Sequence, residues 1–201
     1  MCAYPFRQTG SDTFLLSPAH AGGRRAHALL DERATFALAR RLHGEGAPLG
    51  EVFSFVSGLY FRGKLAYASR FGGAPEQILV ITTNRGLLPV NTILRADDLR
   101  DLGTGDISLR DEAYRQALAR DVEQLQGSRI IFLGSIATRK YLDVLGQLLG
   151  SRLVVPRAFQ GMGDMSRGAI LLEAARLGQE LPYMPADLAS QAAGTSRRVM
   201  S

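Results

Sequence analysis

The chain has 201 residues, enough for one domain with a full apolar core but cramped for two. With 46% hydrophobic and 21% charged residues it is not disordered throughout, and its lone cysteine, Cys2, excludes an intramolecular disulfide and any cysteine-based zinc cluster. No apolar run approaches the ~18 residues of a membrane span, which with the absence of a leader pattern predicts a cytoplasmic protein; the net charge of +5, carried almost wholly by arginine, favours an anionic partner.

Taken in order, Thr13 to Ser17 is a short apolar run that predicts a strand. Helical spacing of Leu30, Ala34, Ala37, Leu38 and Leu42 predicts one helix over 24–42. Glu51 to Ser57 (EVFSFVS) alternates like a second strand, followed by a helix to about Arg70. Gln77 to Thr83 (QILVITT) is an unbroken buried strand of the parallel-sheet kind. Leu87 to Ser108, with Pro89, Gly103 and Gly105, reads as a long irregular excursion.

Beyond it, Tyr114, Leu118, Val122 and Leu125 share one face of a helix over 111–126, and Arg129 to Leu133 is a strand. A helix over 137–149, a strand over 152–155 and a last helix ending near Leu177 follow; residues 182–201 read as a loose tail behind a single domain over 1–181. Strands alternating with helices predict an α/β three-layer sandwich on a central, mainly parallel sheet of about five strands. Ligands of such sheets bind beyond the carboxyl ends of the strands, so the loops there are the candidate site.

In the first loop Ser17, Gly22 and Gly23 let backbone approach a ligand, Arg24 and Arg25 could complete an anion site at a helix start, and His20 could act as acid, base or phosphate donor. A plain strand-to-helix turn with solvated arginines reads as well. The second loop, Gly58 to Leu65, nearly spells the nucleoside-triphosphate loop, but Leu65 replaces the magnesium-holding Ser or Thr and bulky residues crowd it. Tyr60 with Arg62 and Lys64 better suits stacking on a base and pairing with phosphate, or ordinary core packing beside solvated charge.

In the third, Asn84 could read the edge of a base and Arg85 reach a phosphate; a self-satisfied turn is the competing account. Ser135 with Arg139 and Lys140 forms a weak anion site or a simple cap. In the fifth, Asp164 is a candidate general base or cation stabiliser, or a helix cap, beside Ser166 and Arg167. The three histidines, His20, His27 and His43, have no metal-ligand spacing, and no Gly-x-Ser-x-Gly elbow supports a serine hydrolase.

Five short stretches, Leu15 to Ala19, Ser57 to Tyr60, Ile81 to Pro89, Ile131 to Gly134 and Met165 to Arg167, occur in an order that resembles the YaaA peroxide-stress family and related small bacterial proteins. That resemblance implies a layout similar to uracil-DNA glycosylases, although neither Gly-x-Asp-Pro-Tyr nor His-Pro-Ser-Pro occurs here. It implies a DNA glycosylase removing a damaged or modified base, with Asp164, His20 and Asn84 catalytic, no metal or cofactor, and DNA held by the basic residues. The alternatives are a nucleoside or nucleotide hydrolase or transferase on small molecules, and a non-catalytic nucleic-acid-binding stress protein.

Overall fold

The computed structural model describes residues 12–189 apart from 106, 109, 110, 126, 128, 137 and 138, and, for 139 and 140, the backbone. Cys2, the side chains proposed as a basic pair at Arg139 and Lys140, and the tail from 190 onward therefore lie outside the described residues.

Strand β1 (Thr13–Leu16) leads into α1 (Arg24–Leu30) and α2 (Ala37–His43); β2 (Ala47–Pro48) precedes α3 (Leu49–Ser57) and α4 (Leu59–Phe71). Next come β3 (Ile78–Ile81), β4 (Leu87–Pro89), β5 (Ile93–Leu94), α5 (Ala96–Thr104) and α6 (Glu112–Glu123). The chain continues through β6 (Ile130–Leu133), α7 (Arg139–Leu149), β7 (Leu153–Pro156), α8 (Asp164–Leu177) and β8 (Tyr183–Pro185). No helix among the described residues is long and apolar enough to cross a membrane.

A six-stranded sheet in the order β4-β3-β1-β6-β7-β8 forms the centre, flanked by helices. Its four inner strands are parallel, with Leu15 opposite Leu79 on one side and Phe132 on the other. Every residue of β1, β3 and β6 is buried, which is why these runs read as unbroken hydrophobic segments. The sheet is nonetheless mixed, not mainly parallel as expected, because an antiparallel strand closes each edge. On one edge Thr82 bonds Gly86 across a tight turn, through its amide (2.8 Å) and hydroxyl (2.9 Å), with Gly86 at φ +70°. The chain then doubles straight back as β4. On the other edge residues 183–185, expected in a loose tail, pair with β7, Val155 facing Met184.

Three further expectations are corrected. The strand read at Glu51 to Ser57 is helix α3: Leu49, Val52, Phe53 and Val56 make one buried face at helical spacing, and the apparent alternation came from half-buried Phe55. The single helix over 24–42 is two, because the Asp31 carboxylate and carbonyl accept from the amides of Arg33 and Ala34, both at 2.9 Å, and turn the chain. The excursion over 87–108 contains β4, β5 and α5, with β5 pairing β2 in a small antiparallel ladder.

Among the parallel strands, chain order runs from β1 outward to β3, then returns to the other flank of β1 for β6 and β7. The direction of winding reverses between β1 and β6. Loops there diverge at their carboxyl ends and leave a crevice.

Candidate functional site

At that crevice the β1 loop walks around a cleft of about 190 Å³. Pro18 to Gly22, with His20 at their centre, form one wall; Thr83, two residues past β3, and Tyr141, in the first turn of α7, form others. The end of α5 closes it through Leu102, Gly103 and Gly105. Gly105 leaves no room for a side chain, and Gly103 leaves little. A Cβ on Gly103 would come 3.2 Å from the Ala21 carbonyl oxygen, and one on Gly105 would come 2.7 Å from the Thr83 side chain. Thr83 also donates its hydroxyl to the Leu102 carbonyl at 2.9 Å, tying α5 to the β3 loop.

The turn that holds His20 is made by its own backbone, with the Gly23 amide donating to the His20 carbonyl at 3.2 Å. The imidazole is exposed over the cleft, where it can give or take a proton. Tyr141 packs its ring against Phe132 of β6, centroids 5.4 Å apart, which anchors that wall to the sheet.

The other predicted catalytic groups do not line this cleft. Asn84 donates its amide to the Asp101 carbonyl at 3.4 Å, while its buried Oδ1 has no partner among the described residues. Arg85 is committed to Asp98 and Asp101, each at 2.8 Å, so it braces the β3 loop against α5 in place of reaching a phosphate. Asp164 is the first residue of α8, not its cap, and pairs with Arg167 at 3.2 Å.

A second group of polar residues lies where α4 crosses α8. Gly63 and Gly168 permit the crossing: a Cβ on Gly63 would sit 2.4 Å from the Gly168 carbonyl oxygen. Lys64, expected to face DNA, is 1% exposed and donates to the Ser17 carbonyl oxygen at 2.5 Å and hydroxyl at 2.9 Å. Its ammonium also lies 4.4 Å from the centre of the Tyr60 ring and 4.9 Å from that of Phe61. Burial pushes the Lys64 pKa down to about 7, with the Asp164 charge opposing. Tyr60 is buried too, and loss of solvent raises its pKa despite the nearby Arg167 cation. Arg167 is 3% exposed, its guanidinium over the Phe159 ring.

Ser17 connects the two groups, for it is held by Lys64 and is followed at once by Pro18 of the cleft wall. Of the remaining candidates, Gly22 lines the cleft and Gly23 closes its turn. Arg24, Arg25, Arg62 and Ser166 are exposed, and Ser135 is half-buried in the loop after β6. Sequence reasoning missed Thr83, Gly103, Gly105 and Tyr141 as lining residues. The glycine pair two apart was the available signal, hidden in a stretch read as irregular.

Among the described residues no three His, Cys, Asp or Glu side chains gather in a way that could hold a metal ion. No protein family, curated protein or solved structure matches this chain.

Proposed function

We propose that the chain is a base-processing enzyme, a DNA glycosylase that hydrolyses the N-glycosidic bond of a damaged or modified base turned out of the duplex. The observation that carries this reading is the cleft at the winding reversal, with His20, bare glycine backbone and an aromatic ring around it. Its volume of about 190 Å³ is below the ~300–1,000 Å³ of sites for drug-sized ligands and suits one base. Base flipping costs a few kcal/mol, which the exposed cations Arg24, Arg25 and Arg62 offset on the backbone.

In the reaction the bond from sugar carbon to base nitrogen breaks with its electron pair going to the base, and a water oxygen bonds the same carbon. His20 takes the proton that water loses. Asp164, tied to Arg167 and outside the cleft, supplies charge at a distance, and Asn84 holds the loop that shapes the wall. The fate of the cations favours a second reading, a hydrolase or transferase of free nucleosides or nucleotides: Lys64, Arg85 and Arg167 are buried or paired, which leaves fewer cations on the surface for a long backbone.

Duplexes carrying ordinary and modified bases, incubated with the protein and then treated with alkali, should break at abasic sites. His20→Asn should lower that rate by about 10²-fold or more. Base release from free nucleosides but not from DNA selects the second reading; no release from either, or full activity in His20→Asn, contradicts both.

A further inference from the structure

The crossing of α4 over α8 buries more positive charge than negative. Lys64 and Arg167 are both inside, and the carboxylate bonded there, that of Asp164, is itself 64% exposed. Both acceptors that Lys64 finds are neutral oxygens of Ser17. Two more polar atoms at the same place, Arg167 Nε and the Tyr60 hydroxyl, are buried with no hydrogen-bond partner among the described residues. Buried polar groups of native proteins are nearly always paired, and buried charges nearly always compensated. Three groups able to donate, the Lys64 ammonium, the Arg167 guanidinium and the Tyr60 hydroxyl, therefore share one location that is short of acceptors.

The rest of the setting is also suited to an anion. Helix α8 opens on Gly163 with no side chain capping its first amides, and its dipole places partial positive charge at that end. Around Gly161 and Gly163 there is open space, with nothing within 4 Å of where a Cβ would stand. The Lys64 pKa has fallen to about 7 because its burial outweighs the opposing charge of Asp164.

We propose that the α4–α8 crossing is a binding site for a phosphate group, held by Arg167, Tyr60 and Lys64 and reached past Gly161 and Gly163. The phosphate can belong to a free ion, a mononucleotide or a nucleic-acid backbone. The site goes beyond the reading of the cleft and stands on its own residues, whether or not a base enters next door. Its link to the cleft is the Ser17-Pro18 pair, one residue gripped by Lys64 and the next in the cleft wall.

Thermal unfolding of the full chain at pH 6, where Lys64 is charged, tests it by comparing sodium phosphate with sodium chloride and sodium acetate at matched ionic strength. Phosphate alone should raise Tm, by about 5–10 °C as its concentration nears 100 times Kd. Tyr60→Phe removes only an unpartnered hydroxyl and should fold, yet bind phosphate about tenfold more weakly. Asp164→Asn removes the carboxylate that competes for Arg167 and should bind more tightly. Parallel titrations with a nucleoside 5′-monophosphate and a short DNA duplex identify the source, as the form that stabilises at the lowest phosphate concentration. No phosphate shift beyond the chloride control, or an undiminished shift in Tyr60→Phe, overturns the site.

Discussion

Desolvation governs the behaviour of Lys64. An ammonium among Tyr60, Phe61 and Ser17 loses its water, and two neutral oxygens replace only part of it, so the proton leaves at about pH 7 in place of 10.5. Between those values the unfolded chain binds the proton and the folded chain does not. Stability therefore rises with pH from about 7 to about 10.5 and gains nothing from this group below 7. Lys64→Met keeps the length and apolar stem while removing the titration. Urea midpoints at pH 6 and pH 9 should show the native protein gaining stability relative to Lys64→Met as pH rises; an equal pH response in both would contradict the assignment.

At the level of elements, the α4–α8 crossing depends on two glycines for closeness and on neither for backbone freedom. A methyl on Gly63 would meet the Gly168 carbonyl oxygen at 2.4 Å, and one on Gly168 would meet the Tyr60 Cα at 2.8 Å. Gly63→Ala and Gly168→Ala should each destabilise by about 1–3 kcal/mol in denaturant unfolding, whereas Gly146→Ala, inside α7 with nothing within 4 Å of the new methyl, should stabilise by up to about 1 kcal/mol. Equal effects at all three positions would show that the helices do not approach so closely. This crossing was not legible in the sequence, since Gly58-x4-Gly63-Lys64 suggests a phosphate loop as readily as a helix contact. Helix α3 was misread for a related reason: seven residues can satisfy alternation and helical spacing together, and only Leu49 just before them separates the two.

For the molecule as a whole, the buried parallel strands β1, β3, β6 and β7 were readable because burial on both faces leaves long apolar runs. The edge strands β4 and β8 were not. Each has three residues, ends in proline and takes its place through partners distant in sequence or through a turn, such as the Tyr67 and Tyr183 hydroxyls 2.8 Å apart. The candidate site was legible in part for the same reason. Reading strand ends located the loop of His20 and Gly22, but the α5 wall and Tyr141 reach the cleft only through tertiary packing. Entry of a single base into this cleft can be read from the backbone amide shifts of the labelled protein titrated with free nucleobases and nucleosides. The expected result is saturable change at residues 19–22, Thr83, 103–105 and Tyr141, lost in Gly103→Val, where the new side chain would press on Ala21 and fill the space. Saturable change elsewhere that spares these residues, or none at any concentration reached, would contradict it.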